Sequence, residues 1–296
     1  MDYDASRNAL FHPELAQSRF LREVPPHDRA LACEAARLAY YRWEELAHEK
    51  ERLREALVAA GFEGSTMGLF QHPGTDGQGF AAFDSGSGVA LIAFRGTQPD
   101  RVGDLLSDAN VRLKPWRLGA DGRDVDAGGV HAGFANTALG LWEDVKEWLT
   151  TIQGRRKLII CGHSLGAAIA TLLAVPARAN LLVTIGSPRV GNKAFVDAVA
   201  SAVDQVHRYV DCCDVVTSLP PPLGVFEHVG EQRYIDRRGE PNRTLNDAGI
   251  DDDRQEARLE YIRDHAFRFG TVLVRDLADH APHNYLRALW SAPPGA

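Results

Sequence analysis

A serine lies at the centre of residues 162–166, Gly-His-Ser-Leu-Gly, between an apolar run and a stretch of small residues. The apolar run at 157–161 predicts a buried strand, and the stretch at 167–174 predicts a helix. In this strand–turn–helix context the G-x-S-x-G pattern indicates a nucleophile elbow, a sharp turn that exposes the serine hydroxyl at the end of a sheet. The pattern therefore predicts that Ser164 is a catalytic nucleophile. A glycine-rich structural turn is the alternative.

A serine hydroxyl needs two partners to become a good nucleophile, a base that takes its proton and a carboxylate that orients the base. On α/β-hydrolase sheets these follow in the chain order serine, acid, histidine. Both partners are available downstream of the serine. Asp211 and Asp214 follow an apolar run at 206–210, and His280 and His283 lie close together further on. The residues alone leave the choice within each pair open.

Five motifs occur in a fixed order along the chain. They are 95–97 (Arg-Gly-Thr), 130–134 (Val-His-Ala-Gly-Phe), 162–166, 186–192 (Gly-Ser-Pro-Arg-Val-Gly-Asn) and 214–221 (Asp-Val-Val-Thr-Ser-Leu-Pro-Pro). Together they resemble the class 3 lipases, the family of filamentous-fungal triacylglycerol lipases and their bacterial and plant relatives. The resemblance implies an α/β-hydrolase fold, with a mostly parallel central sheet and helices on both faces. It also implies hydrolysis of acylglycerols or related fatty-acyl esters, with phospholipase A1, a feruloyl-type esterase and a catalytically silent binding module as alternatives.

The resemblance implies a role for each catalytic residue. The nucleophile falls on Ser164. The acid falls on Asp214, since in the family an aspartate directly precedes a Val-Val-x-x-Leu-Pro-Pro stretch, and Asp211 is the alternative. The base falls on His280, the histidine of an Asp-His pair shortly before a tyrosine, and His283 is the alternative.

An oxyanion hole needs two hydrogen-bond donors. The resemblance implies the backbone N–H groups of Leu165 and Thr97, with the Thr97 hydroxyl as a third donor. It implies Asp108 as the residue that anchors this hydroxyl, with Asp104 as the alternative. Members of the family carry a lid between these positions. In this chain residues 98–107 are weakly apolar and include two aspartates and an arginine, so we expect no sharp activation at a lipid interface.

Composition limits the other function classes. The 296 residues are 45% hydrophobic and 25% charged, which favours one globular domain, with 1–61 as an N-terminal arm and helix and 62–296 as a catalytic core. The net charge of −7 argues against nucleic-acid binding and against anchoring on an anionic membrane. The expected partner is a fatty-acyl ester, with no stable membrane insertion and at most a transient contact with a lipid interface. No cofactor and no metal are implied.

The cysteines favour reduced thiols over disulfides. Cys212 and Cys213 are adjacent, Cys161 lies in the predicted strand before the serine, and the spacing does not match a metal site. With no apolar leader visible at the start of the sequence, we expect a cytoplasmic location.

Alternating strands and helices position the motifs. The predicted elements are a helix at 28–60, a strand–turn–strand at 79–94, a helix at 138–150, a strand at 181–185, a helix at 193–203 and a strand at 206–210. Residues 1–27 are predicted to be an irregular arm. Residues 237–258 are predicted to be a polar loop, in which 251–253, Asp-Asp-Asp, are more typical of a solvated segment than of a calcium site.

Overall fold

The computed structural model describes residues 2–75, 77–96, 112–221, 225–242 and 244–293. Within these ranges the helices are α1 (Arg7–Phe11), α2 (Asp28–Leu38), α3 (Ala47–Ala59), α4 (Ala132–Thr151), α5 (Leu165–Ala174), α6 (Lys193–Ala202), α7 (Asp247–Asp264), α8 (Arg275–Ala278) and α9 (Pro282–Ser291). The strands are β1 (Gly68–Gln71), β2 (Gln78–Asp84), β3 (Val89–Phe94), β4 (Leu113–Pro115), β5 (Gly129–His131), β6 (Lys157–His163), β7 (Leu181–Ile185), β8 (Gln205–Asp211), β9 (Gln232–Ile235) and β10 (Pro241–Asn242).

One large sheet runs through the described part of the chain in the order β1-β2-β3-β6-β7-β8-β9-β10. The pairings from β3 through β9 are parallel. The pairings of β1 with β2, β2 with β3 and β9 with β10 are antiparallel. Strands β4 and β5 form a separate antiparallel pair. The mostly parallel sheet predicted from the sequence is therefore confirmed.

Helices cover both faces of this sheet because the strands are apolar on both. Along β6, Leu158 and Ile160 pack into one core, and Ile159 and Cys161 pack into the other, since successive side chains of a strand point to opposite faces. Helices α4, α5 and α6 contribute to the first core, and α2, α3 and α9 contribute to the second. Near-continuous apolar strands of this kind are typical of parallel sheets, and the predicted coverage of both faces is confirmed.

The prediction of one helix over 28–60 is wrong, because the chain leaves the helix after Leu38 and re-enters one at Ala47. Two consecutive aromatic residues lie at the break and contact different parts of the molecule. The hydroxyl of Tyr40 contacts Nδ1 of His163 at 2.7 Å, and the hydroxyl of Tyr41 donates to the carbonyl of Ala16 at 3.3 Å. Tertiary contacts therefore override a helical pattern that continues through this region.

Two segments expected to lack regular structure contain helices. The N-terminal arm includes α1, and its cap Ser6 accepts the N–H of Ala9 at 3.1 Å. The polar segment 237–258 includes β10 and most of α7, whose buried residues are Asp253, Ala257 and Tyr261. This stripe recurs every four residues, but it is narrow and one of its members is charged, so hydrophobic periodicity does not reveal it.

The carboxylate of Asp253 is used inside the fold. It accepts hydrogen bonds from the hydroxyl of Tyr234 at 2.8 Å and from Nη1 of Arg237 at 2.7 Å. Asp253 is the one buried residue of the three aspartates at 251–253, and Asp251 and Asp252 are exposed. Asp253 thus joins α7 to the end of β9.

A buried ion pair attaches the N-terminal arm to α2. The side chains of Glu34 and Arg37 are both fully buried, and Nε of Arg37 lies 2.7 Å from Oε2 of Glu34. Glu34 also accepts hydrogen bonds from the Ser18 hydroxyl at 3.0 Å and the Arg19 N–H at 2.8 Å, while Arg37 donates to the Pro13 carbonyl at 2.7 Å. The pair therefore satisfies backbone groups of the arm that would otherwise be buried without partners.

Replacing Glu34 with Gln should destabilise the fold by about 3–5 kcal/mol, because the Arg37 guanidinium stays buried without its counter-charge. Urea unfolding of wild type and variant measures the change. The matched control is Glu51→Gln, which removes the carboxylate of an exposed pair with Arg54 and should leave the midpoint unchanged. Equal midpoints for both variants would show that the pair does not hold the arm.

Candidate active site

Ser164 occupies the turn between β6 and α5 in a backbone conformation that non-glycine residues rarely adopt. Its φ and ψ are 57° and −126°, a strained region that persists only where surrounding contacts enforce it. Its N–H donates to the carbonyl of Ile185 at 3.1 Å, and its carbonyl accepts the N–H of Ala167 at 3.0 Å. A Cβ on Gly162 would clash with the carbonyl of Gly166. The flanking glycines are thus required by the close approach of strand and helix.

The structure brings Ser164, His280 and Asp214 into one hydrogen-bonded chain. Nε2 of His280 lies 3.0 Å from Oγ of Ser164, and Nδ1 lies 3.0 and 2.9 Å from the two carboxylate oxygens of Asp214. All three residues are buried. Because an ionised carboxylate only accepts hydrogen bonds, Nδ1 carries the proton, and Nε2 is free to accept the proton of the serine hydroxyl. This is the geometry of a nucleophile, a base and a residue that orients the base.

Asp214 is fixed by donors other than the histidine. The N–H of Val216 donates to Oδ1 at 2.9 Å, and the hydroxyl of Tyr285 donates to Oδ2 at 2.6 Å. Burial raises the pKa of Tyr285 well above its ordinary value, so this hydroxyl remains a donor. Each carboxylate oxygen is therefore fixed by a donor other than His280.

The alternative acid, Asp211, lies elsewhere. No hydrogen bond joins its carboxyl group to His280 in the described part of the chain, and burial, with a contribution from Asp279, raises the pKa of the Asp211 carboxyl. Its backbone has the supporting role. The Asp211 carbonyl accepts the N–H of Asp214 at 2.7 Å, and its N–H donates to the hydroxyl of Tyr285 at 3.0 Å.

His163 helps to fix the position of His280. Nε2 of His163 lies 2.8 Å from the carbonyl of His280, and Nδ1 of His163 lies 2.7 Å from the hydroxyl of Tyr40. Burial lowers the pKa of His163 well below its ordinary value, so the ring is neutral. Since the carbonyl can only accept, Nε2 of His163 carries the proton and the Tyr40 hydroxyl donates to Nδ1. The sequence placed His163 beside the nucleophile but gave no signal for Tyr40.

Asp279 links the loop that carries His280 to the turn that carries Asp214. Its carboxylate pairs with Nε of Arg275 at 3.1 Å and accepts the N–H of Cys213 at 3.0 Å. The hydroxyl of Tyr3 adds a third hydrogen bond, at 2.7 Å. In the sequence this aspartate served only to mark the adjacent histidine, whereas the structure gives it a positioning role.

His283, the other candidate base, and Leu165, a predicted oxyanion donor, both lie in the described residues. His283 lies on α9, and in the described ranges it has no hydrogen bond to Ser164 or Asp214. Leu165 is the first residue of α5, so its backbone N–H has no partner within the helix and is available to an oxyanion. The predicted donor Thr97, its predicted anchors Asp108 and Asp104, and the lid segment 98–107 lie outside the described residues and stay predictions.

A scan against protein families matches residues 91–224 to a family described as Lipase (class 3). This segment includes Ser164 and Asp214 and ends before His280. The secreted mono- and diacylglycerol lipase 1 of Fusarium solani is 31% identical over 161 residues, which cover 50% of this chain and 47% of that protein. The phospholipase A1-II 4 of Oryza sativa subsp. japonica is 27% identical over 292 residues, 81% of this chain and 70% of that protein. The chain spans about half the length of the fungal relatives that it matches.

A solved structure confirms the predicted fold. The crystal structure of a lipase from Rhizopus microsporus var. chinensis superposes with a TM-score of 0.55 at 26% identity, and the match covers 70% of this chain and 72% of that one. The chain therefore has the α/β-hydrolase fold.

Gly186 should be required for the arrangement of the site. It has a φ of +59°, and a Cβ on it would lie 2.8 Å from Oδ2 of Asp214 and 3.1 Å from Nδ1 of His280. Gly186→Ala should therefore displace the acid and the base, and slow the labelling of Ser164 by a fluorophosphonate by roughly 10²-fold, as expected for a misplacement of about 1 Å.

The matched control for this variant is Gly154→Ala. Gly154 also has a left-handed φ, +76°, but a Cβ there would have no neighbour within 4 Å. Both variants share the conformational cost of placing alanine at positive φ, so thermal midpoints should fall in both. Only Gly186→Ala should slow labelling, and equal labelling rates would show that the clash is absorbed elsewhere.

Proposed function

We propose that this chain, which matches the class 3 lipase family over residues 91–224, is a serine carboxylester hydrolase that acts on fatty-acyl esters. The observation that carries the proposal is the continuous hydrogen-bonded path from Oγ of Ser164 through His280 to Asp214. The names of the relatives, mono- and diacylglycerol lipase and phospholipase A1, support acylglycerols or related lipid esters as the substrate class.

The first half of the reaction acylates the serine. Oγ of Ser164 attacks the carbonyl carbon of the ester while Nε2 of His280 accepts the hydroxyl proton, and Asp214 stabilises the resulting imidazolium. The negative charge on the carbonyl oxygen is met by the N–H of Leu165, with Thr97 as the predicted second donor. The carbon–oxygen bond to the leaving alcohol then breaks, and His280 returns its proton to that alcohol.

The second half regenerates the enzyme with water. A water molecule attacks the acyl carbon while His280 takes a proton from that water. The same two donors, the N–H of Leu165 and the predicted donor Thr97, stabilise the second tetrahedral intermediate. The bond to Oγ of Ser164 breaks, the serine recovers its proton from His280, and a carboxylic acid leaves. One base serves both steps, so the proposal requires no cofactor.

Phospholipid hydrolysis is a second candidate within the same chemistry. The alignment with the rice phospholipase A1 runs through 81% of this chain, further than the fungal match, and supports this substrate. The catalytically silent binding module is disfavoured, because a binding protein has no need for a histidine held between a serine and an aspartate. Covalent labelling of Ser164 by a fluorophosphonate distinguishes the silent module from both hydrolases.

The cytoplasmic location of the protein stays a prediction. All four cysteines are free and buried in the described structure, which supports the expected cytoplasmic location. Fractionation of the native host with an antibody to the chain tests it. Among the described residues, no helix combines the length and the apolar character that a membrane crossing requires.

Ser164→Ala and His280→Ala should each lower kcat for p-nitrophenyl butyrate by several orders of magnitude, and the double variant should be little worse than either, because the triad acts as a unit. Circular dichroism should show an intact fold in each. His283→Ala is the matched control and should retain most of the activity. Turnover close to wild type in Ser164→Ala, or inactivity confined to His283→Ala, would overturn the assignment.

A further inference from the structure

The loop between α7 and α8 carries large apolar side chains that the fold leaves in solvent. Phe267 is 91% exposed, Phe269 is wholly exposed, Leu273 is 72% exposed, and Val274 is about half exposed. Single exposed apolar residues are ordinary on protein surfaces, but a cluster of large ones marks an interaction site. We call residues 267–274 the apolar loop.

Phe267 combines exposure with backbone strain. Its φ of 68° is in the left-handed region, which is unfavourable for a bulky side chain and which glycine or asparagine would adopt more readily. With its side chain 91% exposed, the ring gains little packing among the described residues to offset this cost. The backbone conformation of the turn therefore does not explain why residue 267 is a phenylalanine.

The base of the apolar loop is firmly attached to the fold. The N–H of Val272 donates to the carbonyl of Ala5 at 2.9 Å, and the carbonyl of Val272 accepts the hydroxyl of Tyr261 at 2.6 Å. The carbonyl of Gly270 accepts the N–H of Arg7 at 2.8 Å. The two phenyl rings are thus presented by an ordered turn, which reduces the entropy lost when they are buried against a partner.

The charges beside the apolar loop favour an anionic partner. Arg268 lies between the two phenylalanines, and Arg7 is bonded to Gly270; neither has an ion-pair partner among the described residues. Two nearby acids, Asp264 and Asp276, are each paired with an arginine of α7 at 2.7 Å. Arg7 and Arg268 therefore add positive charge beside the apolar loop, although the whole chain carries −7. Charges beyond about 8 Å are largely screened at physiological salt, so these two guanidinium groups act on a surface at the loop more strongly than distant charges do.

The apolar loop borders a cavity whose wall includes residues that contact or neighbour the nucleophile turn. Gly270 and Arg7 line this cavity of about 650 Å³ together with Arg42, Arg95 and Tyr40. The Tyr40 hydroxyl is the group that contacts the His163 ring. Gly96, next to Arg95, is so close to the nucleophile that a Cβ on it would lie 3.1 Å from Cβ of Ser164. The apolar loop and the nucleophile turn thus have neighbours in the wall of the same cavity.

We propose that the apolar loop seats the protein on a lipid layer with anionic headgroups. Phe267 and Phe269 enter the boundary of the acyl chains, and Arg7 and Arg268 pair with headgroup phosphates. The proposal rests on the proposed ester hydrolase function, since a lipid layer is where its fatty-acyl esters lie. It places the anchor outside the predicted lid, on a segment that precedes the catalytic histidine.

Vesicles of ether-linked phospholipids test the anchor apart from catalysis, because they contain no ester to hydrolyse. Wild-type protein should sediment with ether-linked phosphatidylglycerol vesicles and more weakly with the phosphatidylcholine analogue. Phe267→Asn combined with Phe269→Ser should reduce the partition coefficient at least about tenfold on both lipids. Arg7→Gln combined with Arg268→Gln should reduce it about tenfold on phosphatidylglycerol alone.

The matched control replaces two apolar residues of the N-terminal arm, Leu15→Ser with Val24→Ser, which are 64% and 79% exposed. It should bind both lipids like wild type, and thermal midpoints check the fold of every variant. The proposed anchor is overturned if wild type does not bind the vesicles, or if the phenylalanine variant binds them as strongly as wild type does. So does a wild-type dimer that the phenylalanine variant dissociates, since the apolar loop would then join two copies of the chain. Binding without ester hydrolysis would refute the proposed function and leave the anchor standing.

Discussion

The placement of the His280 ring is the constraint on which the site depends. The ring is held on one side by Asp214, it faces Ser164 on the other, and its backbone carbonyl accepts a hydrogen bond from His163. Ser164 follows β6 and Asp214 follows β8, so a parallel sheet brings both to the same edge because it aligns the carboxyl ends of its strands. The histidine comes from a connection outside the sheet and needs separate supports.

Those supports are themselves buried and polar, which makes them costly unless every group is satisfied. Tyr285 is the clearest example, since its hydroxyl donates to Asp214 and accepts the N–H of Asp211. Asp279 is another, with Arg275, Tyr3 and the N–H of Cys213 around its carboxylate. In surroundings of low dielectric these bonds are strong and their loss is expensive. The catalytic geometry is therefore maintained by the same bonds that stabilise the fold locally.

The sequence predicted the parts of the site that local chemistry dictates. The elbow was readable because the glycines, the apolar strand and the small-residue helix are adjacent in the chain. The choice between His280 and His283 was not readable from the residues, since three positions separate them and both are histidines; it required the family pattern. In the structure His280 precedes α9 and His283 lies within it. The role of Tyr40, 123 positions from His163, depends on tertiary packing that ends α2, and no local pattern indicates it.

The candidate active site combines residues 91–224, the segment that matches the family, with residues from the flanks on either side of it. Residues 91–224 supply the nucleophile and the acid, whereas the base comes from beyond that segment. Tyr3 and Tyr40 from the N-terminal flank then hold the base, one through Asp279 and the other through His163. Since the flanks position the histidine, changes there can displace the base while the nucleophile and the acid stay in place.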